Sequence, residues 1–244
     1  MCTVTYIPQE DNRFILTSNR DESAKRSSQN ISKQSKNGID LFFPRDKTAG
    51  GTWIAVANTN RVVCLLNGAF AKHQHQPPYR KSRGIMVLEF FDYHNADSFF
   101  KEYDFKGMEP FTMIILENEQ LFEFRWDEKD LHILELDRSS PHIWSSSTLY
   151  TDEIKKKRKK WFADWQLHHE FELEQIFNFH KNAGEGNPDY DLVMNRKNIV
   201  QTVSITNIIK NAHSIELQYH DLIHSNFQQK EIKLQREFLE SYQK

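Results

Sequence analysis

Apolar and polar residues alternate over Thr3-Val4-Thr5-Tyr6-Ile7, and after a polar turn from Pro8 to Asn12 a second β-branched run follows, Phe14-Ile15-Leu16-Thr17. A period of two sends successive side chains to opposite faces, so this pattern predicts a β-hairpin at the start of the chain. A second hairpin is predicted from Thr52 to Ala57 and Arg61 to Leu66, around the turn Asn58-Thr59-Asn60, which makes the first ~70 residues mostly sheet. The period then changes. Ser82 is placed to cap a helix running to Phe91, with Ile85, Met86, Leu88 and Phe90 on its apolar face, and Asn95 to Tyr103 reads as another. Phe111 to Leu116, Leu121 to Trp126 and Leu131 to Leu136 form a meander separated by polar turns. A longer helix starts at Thr151, with Asp152 and Glu153 suited to its first turn, and one more spans Phe171 to His180. Gly184 to Pro188 breaks the pattern before three further strands, Ile199 to Thr206, Ser214 to Tyr219 and Phe227 to Leu234. Strands, helices, strands, helices, strands is the order of an α+β fold with segregated layers, and two antiparallel sheets between helix layers accommodate it.

At 244 residues the chain is within reach of one hydrophobic core, so a single domain over 1–244 is expected. The 18 Phe and 5 Trp supply that core without disulfide or metal staples. A net charge of −2 provides no overall field for nucleic acid or an anionic membrane. The run Lys155 to Lys160 does not change this: on a helix Ile154, Arg158, Trp161, Phe162 and Trp165 share one face, which leaves most of the lysines in solvent. Two cysteines, Cys2 and Cys64, are too few for a disulfide framework and fit a reducing compartment. The start carries no secretory pattern, and no apolar run approaches the ~20 residues that cross a bilayer, so a cytoplasmic address is expected.

Cys2 follows the initiator Met directly. Removal of Met1 would give one residue both a thiol and an α-amine of pKa about 7.7–8.0, a nucleophile and a base together. Thr17-Ser18-Asn19-Arg20-Asp21-Glu22 follows the second predicted strand and so can lie beside Cys2 across the hairpin. Its arginine can depress a thiol pKa, and its aspartate can accept from an ammonium. Gly50-Gly51 permits positive φ ahead of a strand, with Trp53 packing behind it; no helix follows to complete a phosphate site. His73-Gln74-His75 and His168-His169 bring no acid or thiolate at ligand spacing, so no metal centre is expected.

Met1-Cys2, Asn19-Arg20-Asp21-Glu22 and Gly50-Gly51-Thr52-Trp53, in that order and spacing, resemble the hallmarks of the NRDE family, of the transport-and-Golgi-organisation-2 type. Asn67-Gly68-Ala69-Phe70 and Pro77 to Gly84 are similar to its bacterial members. The resemblance implies the four-layer αββα sandwich of the N-terminal-nucleophile hydrolases, shared with penicillin and bile-salt acylases, in which a terminal cysteine attacks an amide carbonyl. Carried over by position, it makes Cys2 the nucleophile, Arg20 and Asp21 its electrostatic partners and Asn67 an oxyanion donor, with Asn19, Trp53 and Ser146 contacting substrate. Two stretches depart from the pattern. Trp144-Ser145-Ser146-Ser147-Thr148 stands, after the second sheet, where relatives carry an asparagine, so a serine replaces that donor; Gln201-Thr202-Val203-Ser204 stands where many have an Arg-Thr pair. Loss of one oxyanion donor costs roughly 10²–10³ in rate. Two functions therefore stay open. One is a cysteine amidohydrolase acting on a non-peptide C–N bond of a small amide or acyl substrate, with no cofactor. The other is a non-catalytic carrier of haem or lipid, ligands with which relatives are linked, for which His73, His75 and Cys64 are the residues to watch.

Overall fold

The computed structural model describes residues 2–28 and 30–235. In chain order the elements are β1 (Cys2–Pro8), β2 (Phe14–Glu22), β3 (Ile31–Lys36), β4 (Ile39–Pro44), β5 (Ile54–Ala57), β6 (Arg61–Asn67), α1 (Arg83–Glu89), α2 (Ala96–Glu102), β7 (Phe111–Glu117), β8 (Gln120–Trp126), β9 (Leu131–Leu136), β10 (His142–Ser145), α3 (Asp152–His168), α4 (Leu173–Asn182), β11 (Asn195–Arg196), β12 (Val200–Lys210), β13 (Ser214–Asp221) and β14 (Asn226–Lys233). They form two seven-stranded antiparallel sheets. The first runs β10-β1-β2-β12-β13-β14 with β11 on β12, and the second runs β3 through β9 in chain order.

Alternation along each strand produces the layers. Val4, Tyr6 and Leu16 of the first sheet meet Ile54, Val62 and Ile114 of the second in the core between the sheets. The opposite parity of the first sheet, Ile7 and Ile15, packs on Phe162 and Trp165 of α3 and Ile176 and Phe179 of α4. Phe111 and Phe124 of the second sheet pack outward on Met86 and Val87 of α1 and Phe99 of α2. The result is the expected α+β sandwich, αββα in cross-section. Arg158, Phe162 and Trp165 are the buried residues of α3, as the apolar face of that helix required. Thr151 caps α3 by accepting from the Ile154 N–H, and Asn95 and Ser98 cap α2 reciprocally, whereas the Ser82 side chain makes no cap bond at α1.

Three differences from the sequence reading matter for the site. β2 does not end at Thr17 but continues through Asn19-Arg20-Asp21-Glu22, because β1 pairs with it as far as Arg20 on one side and β12 as far as Glu22 on the other. The hairpin of β3 and β4 had a turn signal in Asn37-Gly38, both at positive φ (52° and 77°), but its first strand is too polar to register as one. The Trp144-Ser145 stretch follows the second sheet in the chain, as read, but it forms a strand that was not expected, β10 at the edge of the first sheet, with Ser145 opposite Thr3.

The tandem glycines serve two purposes. Gly50 has φ +74°, while Gly51 lets the start of α1 come against the backbone leading into β5: a Cβ on Gly51 would lie 2.2 Å from the carbonyl carbon of Gly84. Thr52 N–H donates to the Gly84 carbonyl at 3.0 Å across this contact. Gly51→Ala is therefore expected to lower unfolding free energy by about 2 kcal/mol or more in a denaturant titration. Gly84→Ala, whose Cβ would stop 3.0 Å from the Thr52 carbonyl oxygen, should cost less.

Candidate functional site

The site is built on the centre of the first sheet. The backbone of Cys2 is registered opposite Arg20, and that of Thr3 opposite Asn19. Along β2 the even positions face the second sheet and the odd positions face the helices, so Arg20 and Asp21 point in opposite directions. Arg20 is 3% exposed; one guanidinium nitrogen lies 2.6 Å from Asp46 Oδ2, another donates to the Arg26 carbonyl, and the group sits 4.1 Å over the Trp53 ring. Asp46 is saturated with donors: Oδ1 accepts the Thr48 and Ala49 N–H groups at 3.0 Å, and Oδ2 also accepts from Arg26 at 2.6 Å. Burial resists its ionisation, but the Ala49 N–H and the two arginines prevail and hold its carboxyl below the usual range.

On the helix side Asp21 is fully buried, accepting from the Tyr150 hydroxyl at 2.5 Å and the Thr202 hydroxyl at 2.6 Å. Burial pushes its carboxyl upward against the pull of Arg158. Arg158, itself 0% exposed, lies 3.6 Å over the Tyr150 ring and donates to the Tyr190 and Asp191 carbonyls at 2.9 and 2.8 Å and to the Thr3 hydroxyl. Burial, and then the Asp21 charge, push the Tyr150 phenol well above its ordinary value. Asn19 also faces the helices: its amide nitrogen donates to the carbonyls of His180 and Leu192 at 3.0 and 2.8 Å. Its amide oxygen is thus left to accept from His180 Nδ1 at 2.7 Å, and His180 Nε2 accepts from the Thr5 hydroxyl at 2.8 Å. Burial, aided by Arg158, lowers the His180 pKa to about 3, so the imidazole is neutral with its proton on Nδ1.

Between the sheets, Arg20, Trp53 and Asn67 line a common cleft of about 370 Å³ together with Asp46, Arg83 and Glu109. Trp53 is 5% exposed, and its Nε1 finds no hydrogen-bond partner among the described residues. Ser146, one residue beyond the pairing of Ser145 with Thr3, donates to the Asn67 carbonyl at 2.8 Å and so ties β10 to the end of β6. The expected residues therefore divide. Arg20, Trp53 and Asn67 share a cleft whose lining does not include Ser146, which reaches only the Asn67 carbonyl, whereas Asn19 and Asp21 occupy the opposite face of the sheet. His73 and His75 meet Glu109 at 3.1 and 3.4 Å, beside Arg83 at 2.8 Å, and Cys64 is buried in the core between the sheets. Among the described residues no group of three His, Cys, Asp or Glu side chains is placed to hold a metal ion.

Asp46, Tyr150 and His180 were missed by sequence reasoning. Nothing in their local sequence marks them; each is brought in by another element. Arg158 did carry a signal, as a lone cation on an apolar helix face, and Thr202 belongs to the stretch singled out as a departure.

Two antiparallel sheets between helix layers, opened by a strand whose first residue is registered against a buried arginine, define an N-terminal-nucleophile hydrolase fold. The chain belongs to the Transport and Golgi organisation 2 family, whose model matches residues 1–219. Among solved structures it is similar to a Caenorhabditis elegans orthologue of N-acylethanolamine-hydrolysing acid amidase, at 12% identity over 85% of this chain and 92% of that one, with a TM-score of 0.50. It is also similar to two variants of the conjugated bile acid hydrolase from Clostridium perfringens. One is 7% identical over 96% of this chain and 92% of that one, with a TM-score of 0.54. The other is 8% identical over 95% and 92%, with a TM-score of 0.58. These likenesses are of fold. No curated protein matches the sequence. Among the described residues no helix is long and apolar enough to cross a membrane.

The buried imidazole gives a pH signature. Its folded pKa of about 3 lies below the ordinary 6.5, so the unfolded chain binds the proton more readily; the stability it contributes is complete above about 6.5 and is lost as pH falls toward 3. Asp21, with its raised carboxyl, acts in the opposite sense and is present in wild type and variant alike. Melting temperature should therefore fall more steeply between about pH 6.5 and 4 for the wild type than for His180→Gln. Parallel curves would exclude the neutral buried imidazole.

Proposed function

We propose that this protein is an N-terminal cysteine amidohydrolase for a small amide or acyl substrate. The observation that carries the reading is the register of Cys2 against Arg20 at the edge of a polar cleft. Opposed positions of an antiparallel pair lie on the same face, and position 2 is therefore taken to work on the face that Arg20 serves. A cation fixed there favours the thiolate, and the Asp46 and Trp53 contacts fix it. With Met1 removed, the Cys2 thiol passes its proton to its own α-amine and attacks the amide carbonyl. The amine returns the proton to the leaving nitrogen, the C–N bond breaks and a thioester remains. Water, deprotonated by the same amine, then cleaves the thioester to a carboxylic acid and restores the thiol. Asn67 and neighbouring N–H groups stabilise the oxyanion, and Trp53 Nε1 is a further donor at the cleft wall. Asp21 and Asn19 act from behind the sheet, the first on the field at the start of β1 and the second by holding α4.

The composition of the cleft weighs against the carrier reading. Its walls carry Arg20, Arg83, Asp46 and Glu109, whereas a pocket for haem or lipid is lined predominantly by apolar and aromatic groups. A working thiol is also suited to the reducing cytoplasm expected from the cysteine content.

Intact mass should show loss of Met1, and retention would end the proposal, because Cys2 would lack a base. Cys2→Ala should abolish amine release from a panel of small N-acyl amides, and Arg20→Gln should lower kcat/KM about 100-fold, or ~2.7 kcal/mol. The pH profile of iodoacetamide labelling at Cys2 should have its midpoint below the ordinary value of about 8.5; a midpoint at that value would mean that Arg20 does not activate the thiol.

A further inference from the structure

A second cavity, of about 510 Å³, lies between the inner face of the second sheet, β10 and the first turns of α3. Along β8 the residues Phe122, Phe124 and Trp126 pack toward α1 and α2, which sends Leu121, Glu123 and Arg125 to the inter-sheet side. Leu66, Thr112 and Arg125 are in register across β6, β7 and β8, so the apolar row that fills the core elsewhere ends here in a threonine and an arginine. Charges on an inward face are expensive unless they are paired and hydrogen-bonded, and Arg125, paired with Glu123, keeps about a fifth of its side chain exposed.

Arg125 is held from two sides, by Glu123 and by the Ala69 carbonyl, which accepts from its Nη1 at 2.6 Å, and it lies 4.9 Å from the Phe70 ring. Glu123 Oε1 accepts from Arg125 Nε at 2.8 Å and its Oε2 from Trp144 Nε1 at 2.7 Å, which engages both oxygens and holds the guanidinium in place. Lys155, Lys156 and Lys159 stand over the same cavity, making four cations at its wall against two carboxylates, Glu123 and Asp152. Ser147 is 5% exposed, lines the cavity and has a hydroxyl with no hydrogen-bond partner among the described residues. The hydroxyl is seated there because Gly68 has no side chain, since a Cβ on Gly68 would come within 2.4 Å of it. Beside the charges the lining includes the apolar Leu66, Ile143 and Trp144, the indole of Trp144 stacked on His142 at 5.6 Å.

We propose that this cavity is a binding site for a compact organic anion. Its flat or short apolar body lies on Trp144 and Leu66, and its carboxylate, sulfonate or phosphate group meets Arg125, the α3 lysines and the Ser147 hydroxyl. Neither Cys2 nor the hydrolase reaction enters the argument, so the site stands or falls by itself.

The test is a fluorescence titration of Cys2→Ala, and of the wild type, with anilinonaphthalenesulfonate and with phenylnaphthylamine, which has the same rings without the anion. The sulfonate should saturate a single site, weaken about tenfold in the double variant Lys156→Gln, Lys159→Gln and weaken severalfold in Ser147→Ala, while the neutral dye is indifferent to all three changes. Both lysines are exposed, so the double variant should keep the fold. Naphthoate and naphthyl phosphate as competitors separate the headgroups: displacement by either supports the site and names the preferred anion. Equal binding of the two dyes, an unchanged sulfonate affinity in the lysine variant or failure of both competitors would overturn it.

Discussion

The structure depends on a charge constraint in one strand. β2 lies inside its sheet with β1 and β12 on either side, and it carries an arginine and an aspartate at adjacent positions, both buried. Strand geometry forbids these two from neutralising each other, because successive side chains leave the sheet on opposite faces. Each charge must then find compensation in its own layer, since an uncompensated buried charge costs several kcal/mol. For Arg20 the compensation is Asp46, held by the turn that precedes the tandem glycines; for Asp21 it is Tyr150, Thr202 and Arg158. Partners recruited from so many elements bind the two sheets and the α3 layer to one short segment.

That arrangement gives each face of the strand a separate task. The inward face holds a cation against an aromatic ring at the wall of a cleft, which is a chemical surface. The outward face holds a dense hydrogen-bond network in which the Asn19 amide, the His180 imidazole and the Thr5 hydroxyl fix one another's orientation, which is a mechanical one. Cys2 opens a strand anchored through Thr3 and Thr5 to the helices behind it, so the course of its backbone is set by groups that do not line the cleft.

Much of the layering was legible in the chain. Alternation marked β1, apolar runs between polar turns marked β7 and β8, and the apolar face of α3 identified Arg158 as an inward residue. The limits of β2 were not legible, because Asn19-Arg20-Asp21-Glu22 reads as a polar turn until strands on both sides supply its hydrogen bonds. β10 has four residues and its pattern is shared with the turn around it. Within the site, the motif residues could be named from the sequence, but their division between two faces could not, since it needs the register of β2. Asp46, Tyr150 and His180 were invisible for a related reason: each gains its significance from a residue more than twenty positions away.

Gly51 and Gly84 mark the place where one segment touches the next through backbone alone, and Gly68 is where the Ser147 and Thr148 side chains press directly on a main chain. Elsewhere the layers meet through aromatic and aliphatic groups, such as the Phe99, Phe105 and Phe124 cluster, which a lineage can exchange for others of similar volume. The glycine contacts offer no such latitude, as any replacement lengthens the gap it occupies. The outer layers thus have room to exchange one apolar side chain for another, whereas the spacing beside the two cavities is fixed by atoms that no substitution can shorten.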